Sequence, residues 1–139
     1  MNQKELATLK QRADADDPIA MFAYAQAIRA VNPAEADKYI VLSAQLGDPH
    51  ASEIMGDKFH ERGDMERARH YYKTGAKGGV IDCAVKLALV NMDFDEHAAL
   101  RELEELAESG VKSASAALAA YYKSKGNRKE YNFWKSLAT

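Results

Sequence analysis

Cysteine is nearly missing from this chain of 139 residues: Cys83 is the only one. That excludes an intrachain disulfide framework and fits a reducing compartment. Long apolar runs are missing too, and none approaches the roughly 20 residues needed to span a bilayer. The first residues, "MNQKELATLKQRADADD", are polar and lack the apolar core of a secretory leader. Neither sign of charge dominates, with 19 Lys/Arg against 21 Asp/Glu and a formal net charge of −2. Overall charge therefore gives no reason to expect nucleic acid or a membrane surface as partner. No stretch alternates with period two for long enough to argue for a strand. With 47% hydrophobic residues the chain can still bury a real core. These exclusions leave a soluble cytoplasmic domain built from helices.

What is present is a repeated phrase. "KYIVLSAQLG" at Lys38–Gly47 is echoed by "HYYKTGAKGG" at His70–Gly79, and the chain ends on "FWKSLAT". Aligned on their closing glycines, the copies put Gly47, Gly79 and Gly110 in one column. Four residues later come Ala51, Cys83 and Ala114, with Ala20 as the earlier member after Asp16; the spacings are 31, 32 and 31. Four further on stand Tyr24, Met55, Leu87 and Leu118, each followed by a tiny residue: Ala25, Gly56, Ala88 and Ala119. In the second half of each copy, Ala36, Ala68 and Ala99 form one column, and Ala44, Ala76, Ala107 and Ala138 another. Between these lie the pairs Tyr39-Ile40, Tyr71-Tyr72 and Phe133-Trp134, reduced to Glu102-Leu103 in the third copy. Repeats of this length signal stacked supersecondary units.

Each copy reads as two helices. Small and apolar positions recur at i, i+4, i+5 and i+8, one face of an α-helix. The three prolines follow Asp17, Asn32 and Asp48, the arrangement of a capping side chain ahead of a proline in the first turn. Asn32…Glu35, Asp93…Glu96 and Asn127…Glu130 have capping-box spacing. Gly63 and Gly126 fall between the helices of a copy, and Gly47, Gly79 and Gly110 between copies, as C-terminal stops. Gly56 and Gly75 lie inside predicted helices, where close backbone approach is the compensation expected for their poor propensity. Counted back from Ala20, Leu9 and Ala13 match Ile40 and Ala44, so residues 3–14 are expected to form a lone second helix that seals the first copy. The expected organisation is a capping segment, 1–16, then a single repeat domain, 17–139, divided at 17–47, 48–79, 80–110 and 111–139. The last helix, with Phe133, Trp134 and Leu137, is expected either to close the stack or to leave an apolar edge for self-association.

"ASEIMGDKFHERGDMERARHYYKTGAKGG" resembles the Sel-one-like repeat, a relative of the tetratricopeptide repeat. The matching positions are Ala51, Met55-Gly56, Phe59, Ala68, Tyr71-Tyr72, Gly75-Ala76 and Gly79, and the similarity extends over residues 17–139. The resemblance implies an all-α fold, a right-handed α-α superhelix of about four helix-turn-helix repeats. It also implies a protein- or peptide-binding adaptor without enzymatic activity or cofactor.

In solenoids of this kind the first helix of each pair lines the concave face. The residues expected there are Phe22, Gln26 and Arg29 in copy one, and His50, Glu53, Asp57, His60 and Glu61 in copy two. Copy three gives Val85, Leu89 and Met92, and copy four gives Ala116, Ala120 and Lys123. The apolar members would take up a partner's apolar side chain, and the acidic ones a Lys, an Arg or an N-terminal amine. His50, Glu53, Asp57 and His60 share one helical stripe. Ten residues of helix span about 15 Å, so His50 and His60 cannot hold the same ion. Glu53, Asp57 and His60 remain as the only centre a small metal-dependent hydrolase could use, and a plain polar face is the expectation. Cys83 stands in an alanine column and is expected to be a buried small hydrophobe. His70 and His97 fall on predicted outer faces, and Tyr121, Tyr122 and Trp134 are expected to pack. Charge is uneven: residues 1–110 hold 13 Lys/Arg against 20 Asp/Glu, residues 111–139 hold 6 against 1. The basic end is expected to be a solvated offset to the acidic body, or a docking patch.

Overall fold

The computed structural model describes all residues, 1–139. It contains nine helices and no strand. They are α1 (Gln3–Asp14), α2 (Pro18–Ile28), α3 (Pro33–Gln45), α4 (Pro49–Glu61), α5 (Met65–Lys77), α6 (Ile81–Asn91), α7 (Glu96–Glu108), α8 (Lys112–Ser124) and α9 (Arg128–Ala138). The chain forms two compact units, Met1–Val80 and Ile81–Thr139. In the first, α1 packs on α2, α2 on α3, α3 on α4 and α4 on α5; in the second, α6 packs on α7, α7 on α8 and α8 on α9. Each unit is thus a run of consecutive helices stacked on their neighbours, the arrangement of a helical repeat. The sealing helix expected over residues 3–14 is α1.

Helix starts follow the capping chemistry read from the sequence. Asp17, Asn32 and Asp48 each accept a backbone N–H with their side chains, ahead of Pro18, Pro33 and Pro49 in the first turn. The Asp17 carboxyl is held below its ordinary value, first by the Ala20 N–H and then by the Arg12 guanidinium 3.0 Å away. Asn32 and Glu35 close a reciprocal box: Glu35 N–H donates to Asn32 Oδ1 at 3.2 Å, and Asn32 Nδ2 donates to Glu35 Oε2 at 3.0 Å. The Glu130 N–H donates to Asn127 Oδ1 at 3.2 Å. The box expected at Asp93 does not form. Asp95 caps α7 instead, accepting the Ala98 N–H at 3.1 Å, because the turn after α6 runs on until the Phe94 and Asp95 N–H groups have both bonded the Asn91 carbonyl.

Helix ends use one device six times. Gly47, Gly63, Gly79, Gly110 and Gly126 all have positive φ, and Asp16, in the same column, has φ 64°. After each, the next residue's N–H reaches back five residues, from Asp48 to the Ser43 carbonyl, Val80 to Gly75, Val111 to Leu106 and Asp17 to Arg12. That is the Schellman closure, which a left-handed residue at this position permits.

The small-residue columns are buried, except that Ala76 and Ala138 in the last of them are half-buried. Ala20, Ala51, Cys83 and Ala114 are at most 1% exposed, and Ala36, Ala68 and Ala99 are fully covered. Of each aromatic or apolar pair, the second member enters the core: Ile40, Tyr72, Leu103 and Trp134 are all buried. The first member varies, from buried Tyr39 to exposed Phe133. The tiny partners are needed for approach. A Cβ on Gly56 would stand 2.6 Å from the Tyr72 ring, and one on Gly78 would stand 2.4 Å from the Pro49 Cβ. The double glycine at 78–79 therefore combines a contact that admits no side chain with a turn that needs positive φ.

Candidate functional site

The face of α2 and α4 in the first unit holds most of the residues expected to line a groove. Phe22 sits in the middle of α2, half-buried against the core of that unit. Its ring stacks on the His50 imidazole with centroids 5.8 Å apart and planes at 30°. This contact brings α2 and α4, the first helices of two successive copies, edge to edge. Gln26 follows Phe22 by one turn on α2, and Arg29 caps the helix end; both are exposed.

Along α4 the stripe begins at exposed His50, passes through half-buried Glu53 and Asp57, and ends at exposed His60 and Glu61. Asp57 is fixed from behind: the Tyr72 hydroxyl donates to its Oδ1 at 2.6 Å. The Tyr72 ring that covers Gly56 thus also orients the carboxylate one residue on. Lys58, on the neighbouring flank of α4, pairs with Asp37 of α3 at 3.7 Å.

No three His, Cys, Asp or Glu side chains converge to hold a metal ion. Glu53, Asp57 and His60 share a stripe of α4 and are not such a group.

The groove positions of the second unit divide. Val85, expected on the surface, is 6% exposed and lies in that unit's core with Ala88, Leu103 and Leu118. The same column holds Phe22, Glu53 and Ala116 in the other copies, and Val85 is covered where α6 meets α8 as well as α7. Met92 is half-buried and packs against the same core, whereas Leu89 is 44% exposed. Lys123 is exposed, its ammonium 5.8 Å from the centre of the Tyr131 ring. Cys83 is buried. His70 and His97 are exposed. Tyr121 and Tyr122 meet edge to face at 5.1 Å, and Trp134 is buried with its Nε1 donating to Glu130 at 3.1 Å.

Two features escape a reading by columns. Phe59 and Tyr71 stack in parallel at 5.7 Å, with the Arg62 and Arg67 guanidinium groups over the Phe59 ring at 5.6 and 5.5 Å. Phe59, Arg67 and Tyr71 border an open cleft of about 740 Å³ that also meets Gln45, Asp64, Glu66 and His70. The second feature is a smaller cavity of about 290 Å³, formed by Lys123, Gly126, Asn127, Arg128 and Tyr131 at the turn from α8 to α9. The aromatic–arginine spacing Phe59…Arg62 was the available sequence signal for the first, and the basic surplus after residue 110 for the second.

No helix is long and apolar enough to cross a membrane. No protein-family model and no curated protein matches the chain.

Proposed function

We propose that this chain is a non-enzymatic adaptor of the Sel-like or tetratricopeptide-like kind, acting in the cytoplasm, that receives a protein segment or peptide on the α2–α4 face. The observation that carries the reading is the Phe22–His50 stack at 5.8 Å, an aromatic floor laid across two helices that also carry exposed Gln26, Arg29, His60 and Glu61. The fold needs none of these polar side chains for its own packing. A partner side chain with an apolar body would lie on the floor, and a Lys, an Arg or an N-terminal amine would meet Glu53, Asp57 and Glu61.

Panning a displayed peptide library on the purified protein tests this directly. Selected peptides are expected to carry a basic residue beside an apolar one. They are expected to bind a Glu53→Lys, Glu61→Lys variant at least about tenfold more weakly, a loss of ~1.4 kcal/mol, while its melting curve stays that of the parent. No enrichment over a blank support, or equal affinity for both proteins, contradicts the proposal.

A further inference from the structure

The second unit carries a charge imbalance that its own fold does not use. Residues 111–139 hold Lys112, Lys123, Lys125, Arg128, Lys129 and Lys135 against the single acid Glu130. None of these six cations stands in an ion pair, and Glu130 is occupied by the Trp134 indole N–H. Instead, cations gather on rings: Lys123 and Lys135 lie 5.8 and 5.4 Å from the centre of Tyr131, and Lys125 lies 5.5 Å from that of Tyr121. Lys123, Arg128 and Tyr131 line the cavity of about 290 Å³ at the α8–α9 turn, which no carboxylate enters.

The repeat alignment says what this flank of α9 corresponds to. Tyr131, Lys135 and Ala138 occupy the columns of Asp37, Val41 and Ala44 on α3. There the flank receives a helix: Asp37 pairs with Lys58 of α4, Val41 packs against the core, and Ala44 is buried. On α7 the Tyr131 column holds Leu100, packed into the core that α7 shares with α8. In these two copies the flank receives the following helix, whereas on α5 the same columns hold Arg69, exposed Lys73 and half-buried Ala76. On α9 it is basic and aromatic, with Lys135 exposed and Tyr131 and Ala138 half-buried.

We propose that the α9 flank formed by Tyr131, Lys135 and Ala138, with Lys123 and Arg128, seats an acidic amphipathic helix of a partner protein. Apolar residues of that helix pack on Tyr131 and Ala138, and its Asp or Glu side chains meet Lys123, Arg128 and Lys135. Nucleic acid is the poorer fit, because the acidic remainder of the chain repels a long polyanion. The site is separate from the α2–α4 face and does not depend on it.

The test is fluorescence anisotropy with three labelled probes: an 18-residue amphipathic helix with a Leu/Ala stripe flanked by Glu, the same peptide with Lys for Glu, and a single-stranded 15-nucleotide oligomer. The acidic peptide is expected to bind, more weakly as salt is added. It is expected to lose about tenfold or more in affinity to an Arg128→Glu, Lys135→Glu variant, and less to Arg128→Gln, Lys135→Gln, both melting as the parent does. The basic peptide is expected not to bind. Failure of the acidic peptide to bind, equal binding by the reversed variant, or tighter binding of the oligomer overturns the assignment. So does a self-associated parent that the charge reversal dissociates, because the seat would then belong to a second copy.

Discussion

At the scale of single residues, the packing of Tyr72 against Gly56 shows how the repeat is held. A Cβ at position 56 would stand 2.6 Å from two atoms of a buried ring whose hydroxyl is tied to Asp57. Something must shift to admit it, and the ring is buried and tied, so Gly56→Ala should overpack the α4–α5 contact even though alanine favours helix. The expected cost is about 1–3 kcal/mol in chemical denaturation; a variant as stable as the parent would show that the ring can shift. Residues such as Ala51, Gly56 and Ala68 were legible in the sequence because a steric requirement that recurs in every copy leaves a column of small side chains. The Tyr72–Asp57 hydrogen bond was not legible. Tyr71 and Tyr72 are identical in type, and only the phase of α5 decides that one enters the core and the other stacks on Phe59.

Helices and their junctions show a second kind of legibility. Starts at Asp17, Asn32 and Asp48 could be read because a capping side chain followed by proline admits one phase only. The start of α7 was misread because Asp93 and Asp95 are equally good caps, and the choice falls to the length of the preceding turn. The α1–α3 junction supplies a pH-sensitive joint. The Tyr39 hydroxyl donates to Asp14 Oδ1 at 2.5 Å, and that bond, followed by burial, pushes the phenol up to about 12 from 10.0. The protonated phenol is the form the fold stabilises. Its contribution is therefore complete below pH ~10, the unfolded value, and is lost as pH rises toward ~12. Thermal melts should show the parent losing its advantage over Tyr39→Phe across that window. A difference between the two proteins that stays constant from pH 8 to 12 would mean that Asp14 does not hold the phenol.

Across the whole molecule, the same columns run through both compact units, and charge does not. The surplus of acid in residues 1–110 and of base in residues 111–139 underlies the two proposed surfaces, one for a basic segment at α2–α4 and one for an acidic helix at α9. The outward positions of α2 and α4 could be predicted from phase, since Gln26, Arg29, His50, His60 and Glu61 are all exposed. Val85 could not, because α6 meets α8 as well as α7, and the side chain is covered in the core with Ala88, Leu103 and Leu118. The α8–α9 cavity lay beyond a reading by columns because it is made at a turn, where helical periodicity stops.

The claim beneath all of this is that small side chains in register let successive helices nest at the same depth in every copy. Denaturation of Ala36→Leu, Ala68→Leu and Ala99→Leu, set against the exposed Ala34→Leu and Ala116→Leu, measures it most directly. The three column variants should each lose about 1–3 kcal/mol, and the two controls should stay within ~0.5 kcal/mol of the parent. Column and control variants of equal stability would contradict the account.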